Sequence, residues 1–125
     1  MKEIAQFGSL IIYSLSIVFH LLVLIQIIPY KMVWGGRLKS DTDMYKFEAV
    51  SLTVNLLFLF ILLVQSNYVA LSIPRNILTY TFWGMAALFL LNTAGNLLSK
   101  NRMEQMIFTP ITLLLTFFSV VLAMA

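Results

Sequence analysis

The sequence predicts an all-α integral membrane protein, a four-helix up-and-down bundle, and two observations carry that expectation. Of its 125 residues 61% are apolar and only 10% charged, whereas an ordinary soluble domain carries roughly a quarter charged residues. The charges are also segregated. They fall at Lys2 and Glu3, from Lys31 to Glu48, at Arg75, and from Lys100 to Glu104, which leaves four charge-free stretches, Ile4–Tyr30, Ala49–Pro74, Asn76–Ser99 and Gln105–Ala125. Each is longer than the roughly 20 residues that an α-helix needs to cross about 30 Å of hydrocarbon. Only helices and closed barrels satisfy their backbone polar groups there. The apolar runs are continuous and do not alternate, which argues against barrel strands.

Taken in order, helix one is expected over about 9–28, stopped by Pro29, with Tyr30 and Trp34 at the headgroup level. Its apolar region is too long for a secretion signal and no small-x-small cleavage pattern follows it, so it reads as a retained helix. The Trp34-Gly35-Gly36-Arg37 run can make a tight turn, with Trp34 as an interfacial anchor and Arg37 reaching for lipid phosphate. The solvated segment Lys39–Asp43 offers Ser40 or Asp43 as a cap for helix two, expected over about 46–65. Helix three follows at about 76–98, with Tyr80, Phe82 and Trp83 as an aromatic belt. Helix four is expected over about 107–125 with Pro110 in its first turn, where a missing donor costs little. There is no internal repeat or domain boundary, so residues 1–125 form a single transmembrane domain.

Basic residues set the orientation. Lys31, Arg37, Lys39 and Lys46 in the first loop and Lys100 and Arg102 in the third stand against Lys2 and Arg75 on the other side. This puts loops 29–46 and 99–106 in the cytoplasm and both termini outside. The net charge of +3 is explained by orientation, and no nucleic-acid partner is expected.

Polar side chains inside hydrocarbon are costly, so their spacing is the main clue to function. Tyr13, Ser16 and His20 form one helical stripe, and Glu48, Ser51 and Asn55 a second. Asn92, Gly95, Asn96 and Ser99 mark the third helix, and Thr109, Thr112, Thr116 and Ser119 the fourth. The simplest packing turns all four stripes inward. Gln26, Glu48, Ser51, Asn92, Asn96, Thr109 and Thr112 then lie in the cytoplasmic half, with His20 and Asn55 near mid-membrane. These nine are the candidate ligand-binding residues, with Trp34 and Arg37 as candidate headgroup contacts. The plainer reading makes the hydroxyls interhelical hydrogen bonds worth ~0.6 kcal/mol each, makes His20 a neutral imidazole bonded to a neighbour, and lets Glu48 snorkel to the interface.

Several chemistries lack their residues. There is no cysteine, which removes disulfides, thiolate chemistry and iron–sulfur ligation. His20 is the single histidine, so no metal, haem or other cofactor is expected. No phosphate loop, nucleophile elbow or GxxxG occurs, no acid is apparent beside His20 for triad catalysis, and no catalytic residue is assigned.

The run Ile28-Pro29-Tyr30-Lys31-Met32-Val33-Trp34-Gly35-Gly36-Arg37-Leu38, with Phe47-Glu48 and Asn92-Thr93-Ala94-Gly95-Asn96 downstream, resembles small uncharacterised bacterial four-helix membrane proteins over nearly the whole chain. That resemblance implies a bacterial inner-membrane location. In layout the chain is also similar to the membrane-associated eicosanoid and glutathione metabolism proteins, but of their Arg, Asn, Glu pattern opening helix two only Glu48 is present. Tyr45 stands where the Asn belongs and Asp41 near the Arg. The expected function is a polytopic membrane protein that binds a lipid, small molecule or partner helix in a polar interior open to the cytoplasm. The alternatives are a subunit of a homo-oligomeric transporter or channel, with Glu48 or His20 titrating, and an enzyme of the layout just described.

Overall fold

The computed structural model describes residues 1–29, 40–99 and 102–125. Within them run four helices, α1 (Lys2–Leu24), α2 (Asp41–Gln65), α3 (Arg75–Leu97) and α4 (Arg102–Met124). All four are long and apolar enough to cross a membrane. Burial inside the protein covers only 17–28% of each span's most apolar window. The large hydrophobic residues left exposed, such as Leu15, Leu57, Leu91 and Leu113, therefore face a bilayer without cost, and the chain is a multi-pass membrane protein.

The hydrogen bonds give the helix directions. Gln6 near the start of α1 donates to Gln65 at the end of α2 (2.8 Å), while His20 near the end of α1 meets Glu48 near the start of α2. That pair is antiparallel and held at both ends. Thr93 late in α3 meets Thr112 in α4, and Arg75 at the start of α3 donates to the Ala125 carbonyl just beyond α4, so the second pair is antiparallel too. The two hairpins join along α1 and α4. The Tyr13 hydroxyl is hydrogen-bonded to Ser119, and Phe19 stacks edge-on against Phe108 with centroids 5.1 Å apart. By contrast the backbones of α2 and α3 stay apart, and the two helices meet through side chains such as Phe58 and Phe89, whose ring centroids are 5.7 Å apart.

Small residues explain the close α1–α4 approach. Ala5 and Ser9 are buried at 0% and 2% exposure, and a Cβ added at Gly8 would lie 2.5 Å from the ring of Phe118. Together they make a small-residue face of the kind that lets membrane helices approach closely, and Tyr13 follows one turn on as a large buried side chain. The main core is apolar and aromatic: Tyr13, Phe58 and Phe89 form a ring cluster between α1, α2 and α3, and Leu62, Met85, Leu115 and Phe118 complete it.

Four sequence expectations change. Helix α1 spans Lys2–Leu24 in place of 9–28, because hydropathy marks the apolar run and not the helix, which carries Lys2 and Glu3 outward on its first turn. It ends well before Pro29, in a Schellman turn with Gln26 left-handed (φ 63°) and the Ile27 amide donating to the Leu22 carbonyl. Helix α2 ends in the same turn around Asn67 (φ 66°). Its start moves from residue 46 to Asp41, because the Ser40 hydroxyl accepts from the Asp43 amide (3.2 Å) and the two aspartates suit the positive end of the helix dipole. Helix α4 starts at Arg102, so Pro110 is interior and not in the first turn. Phe82 leaves the expected aromatic belt for the core, since it shares the face of Met85 and Phe89. Tyr80 and Trp83 stay exposed.

Candidate functional site

Shortening α1 to Leu24 places His20 one turn before its end, and starting α2 at Asp41 places Glu48 two turns in. Because α2 begins about a turn beyond the end of α1, those positions are level in the antiparallel pair. The His20 Nδ1 lies 2.6 Å from Glu48 Oε2, at the short end for a charge-assisted hydrogen bond. The Glu48 side chain is 0% exposed and the imidazole 17%. Two sequence expectations are corrected here. Glu48 does not snorkel at the interface, and the acid missing beside His20 is Glu48 itself. Sequence alone put the two at different depths because it misplaced both helix ends.

The geometry defines what the pair can do. A carboxylate only accepts hydrogen bonds. With Glu48 ionised the Nδ1–H donates to it, which fixes the ring tautomer and leaves a lone pair on Nε2 of a ring that is partly exposed. A second proton taken at Nε2 turns that acceptor into a donor. The buried carboxylate thus orients the ring, and the ring carries the group that a ligand or proton can reach.

The other candidates are distributed unevenly. Gln26 Nε2 lies 3.5 Å from the Tyr45 hydroxyl, at the limit of a hydrogen bond, at the same end of the α1–α2 hairpin. Ser51 and Asn55 are half-buried, and the Asn55 amide is turned back onto its own helix, donating to the Ser51 carbonyl (2.7 Å). In the other hairpin the Thr93 and Thr112 hydroxyls lie 3.0 Å apart and the Asn96 amide donates to Thr112 Oγ1 (3.3 Å). The Thr109 hydroxyl is buried without a partner among the described residues. Asn92 is exposed on the bundle surface, because α3 turns Thr93 inward in its place. Trp34 and Arg37 lie outside the described residues.

Among the described residues the polar side chains do not gather into one interior. His20 and Glu48 sit in the first hairpin, and Thr93, Asn96 and Thr112 sit toward the same end of the second. Between the hairpins lies an apolar plug of Val23 and Met44 packed with Phe19, Leu24, Ile28 and Phe108. No group of three or more metal-binding side chains occurs among the described residues.

No family model, curated protein or solved structure matches this chain.

Some site residues carried no obvious signal in the sequence. Thr93 was hidden beside the more conspicuous Asn92, although it shares the helical face of Phe89 and Asn96. Gln105 donates to the carbonyls of Leu97 (2.9 Å) and Ser99 (2.7 Å) and so caps the end of α3 from α4. A lone glutamine just past a turn is the only trace of that role.

Proposed function

We propose that the protein is a non-enzymatic membrane protein that binds a lipid, small molecule or partner helix at the bundle end carrying the first and third connections, and that His20 makes the contact. The observation that carries this reading is the His20–Glu48 pair, a fully buried carboxylate holding a reachable imidazole within an apolar span. Ionisable groups at such positions are expensive and mark functional sites by default. A ligand bearing an N–H or O–H donor suits Nε2 while the pair holds one proton. The excess of basic residues in the two loops at this end supports a cytoplasmic opening, and the resemblance to bacterial four-helix proteins supports an inner-membrane location.

Mass spectrometry of the purified protein, resolved for lipids and small molecules, tests the reading. Glu48→Gln keeps the shape and removes the charge, and His20→Leu removes the contact. Both variants are expected to lose the co-purified ligand while their melting temperatures show a folded bundle. Unchanged occupancy in both would sink the proposal.

The same pair favours one second reading, a homo-oligomeric transporter or channel subunit in which His20 and Glu48 pass a proton. Proton flux into vesicles that disappears in Glu48→Gln, with no retained ligand in the wild type, selects that alternative.

A further inference from the structure

At the opposite end of the bundle the sparse contact between α2 and α3 opens into a cleft of about 230 Å³. It is lined by Lys2 from α1, by Gln65 from α2, by Arg75, Leu78, Thr79 and Phe82 from α3, and by Ala125, whose main-chain oxygen lies in the cleft against Arg75. The four α3 residues follow i, i+3, i+4, i+7 spacing, so one face of that helix lines the cleft from a charged rim to an apolar floor. Lys2 and Arg75 are both exposed. The acid nearest in sequence, Glu3, lines a neighbouring crevice with Gln6 and Ser66. The Gln6–Gln65 hydrogen bond joins residues of the two openings. Arg75 is steadied by donating to the Ala125 carbonyl oxygen at 2.6 Å, and a guanidinium has five N–H donors, enough to add a bidentate phosphate contact.

The volume selects the kind of occupant. A water molecule takes about 30 Å³ and drug-sized ligands fill roughly 300–1,000 Å³, so the cleft suits a headgroup and not a whole amphiphile. A hydrocarbon chain can continue outward past the half-buried Leu78, with the buried Phe82 ring closing the floor behind it. Two cations on the rim, an apolar floor and a lateral opening together point to one chemistry. We propose that this cleft holds the phosphate of an anionic glycerophospholipid between Lys2 and Arg75, with one acyl chain entering between α2 and α3. The proposal is independent of the His20 site, which lies at the other end.

The test uses the full chain in detergent with added dioleoyl phosphatidylglycerol or dioleoyl phosphatidylcholine, read by native mass spectrometry. Wild type is expected to retain the glycerol lipid in preference to the choline lipid. Lys2→Gln and Arg75→Gln should each lower that retention about fivefold, the worth of one basic residue near an anionic surface. Arg75→Lys should largely keep it. Leu78→Trp leaves both charges and narrows the chain entrance, so it should lower retention of both lipids. Equal retention of the two lipids by wild type overturns the proposal. So does a double Lys2→Gln, Arg75→Gln variant that still prefers phosphatidylglycerol. Displacement of the lipid by millimolar inorganic phosphate, with phosphate itself bound, would show an anion site without a lipid and also overturns it.

Discussion

Gly8→Ala is expected to destabilise the bundle, although alanine is ordinarily the better helix former. An added Cβ would sit 2.5 Å from Cε2 and 2.8 Å from Cζ of Phe118, where carbon atoms rest at about 3.5–4.0 Å. One of the two helices, or the ring, must therefore move by about 1 Å. The ring has little room, because Phe118 is 6% exposed and belongs to the same core cluster as Ala5, Leu115 and Leu122. Overpacking of this kind costs about 1–3 kcal/mol, against a gain of about 1 kcal/mol from replacing glycine within a helix. The net expectation is a loss of about 1 kcal/mol. A second background tests the cause. In Phe118→Leu the ring atoms that the new methyl strikes are gone, so Gly8→Ala should there stabilise by about 1 kcal/mol, giving a coupling of about 2 kcal/mol. Equilibrium unfolding in mixed micelles, titrated with a denaturing detergent, measures all four proteins. Additive effects, or a more stable Gly8→Ala in the wild-type background, would refute a close α1–α4 contact at this point.

Three further outcomes follow from the same packing. Thr112→Val removes the shared partner of Thr93 and Asn96 and should lower stability by about 1 kcal/mol, whereas Asn92→Leu on the exposed face should change it by less than about 0.5 kcal/mol; the reverse order in thermal melting would mean that α3 is rotated. Gln26→Gly relieves a left-handed backbone at φ 63° and should raise stability by about 1 kcal/mol, with Gln26→Ala giving no such gain as the control. Cysteine at Ser40 should resist an impermeant thiol reagent in intact cells while cysteine at Asn67 reacts, and the opposite labelling would invert the orientation.

The four helices were legible because charge is excluded from hydrocarbon, and the stretches from Glu3 to Lys31, from Glu48 to Arg75, from Arg75 to Lys100 and after Glu104 mark the apolar runs directly. Helix ends were less legible, since they depend on caps and left-handed residues such as Ser40, Gln26 and Asn67, whose effect is local geometry and not hydropathy. That error passed into the site. His20 and Glu48 were each singled out from their stripes, yet their meeting depended on where α1 stops and α2 begins. The polar stripes do not all face one another among the described residues, for a different reason. Hydroxyls and amides can bond to their own helix, as Asn55, Thr81 and Thr116 do, so a polar stripe does not have to seek a partner across the bundle. Gly8, Ala5 and Ser9 escaped notice because small residues announce themselves only by what packs against them.

The α1–α4 seam has a mechanical meaning. Each hairpin is fastened within itself by hydrogen bonds toward both ends, and the hairpins adhere to each other chiefly along one line of small residues and aromatic rings. Such a body is built like a book, with α1 and α4 as the spine and α2 and α3 as the free edges of its covers. Rocking about the spine would leave the hydrogen bonds inside each cover intact and act first on the Phe58–Phe89 contact that bridges the free edges, the contact that sets how far the lipid phase reaches into the bundle.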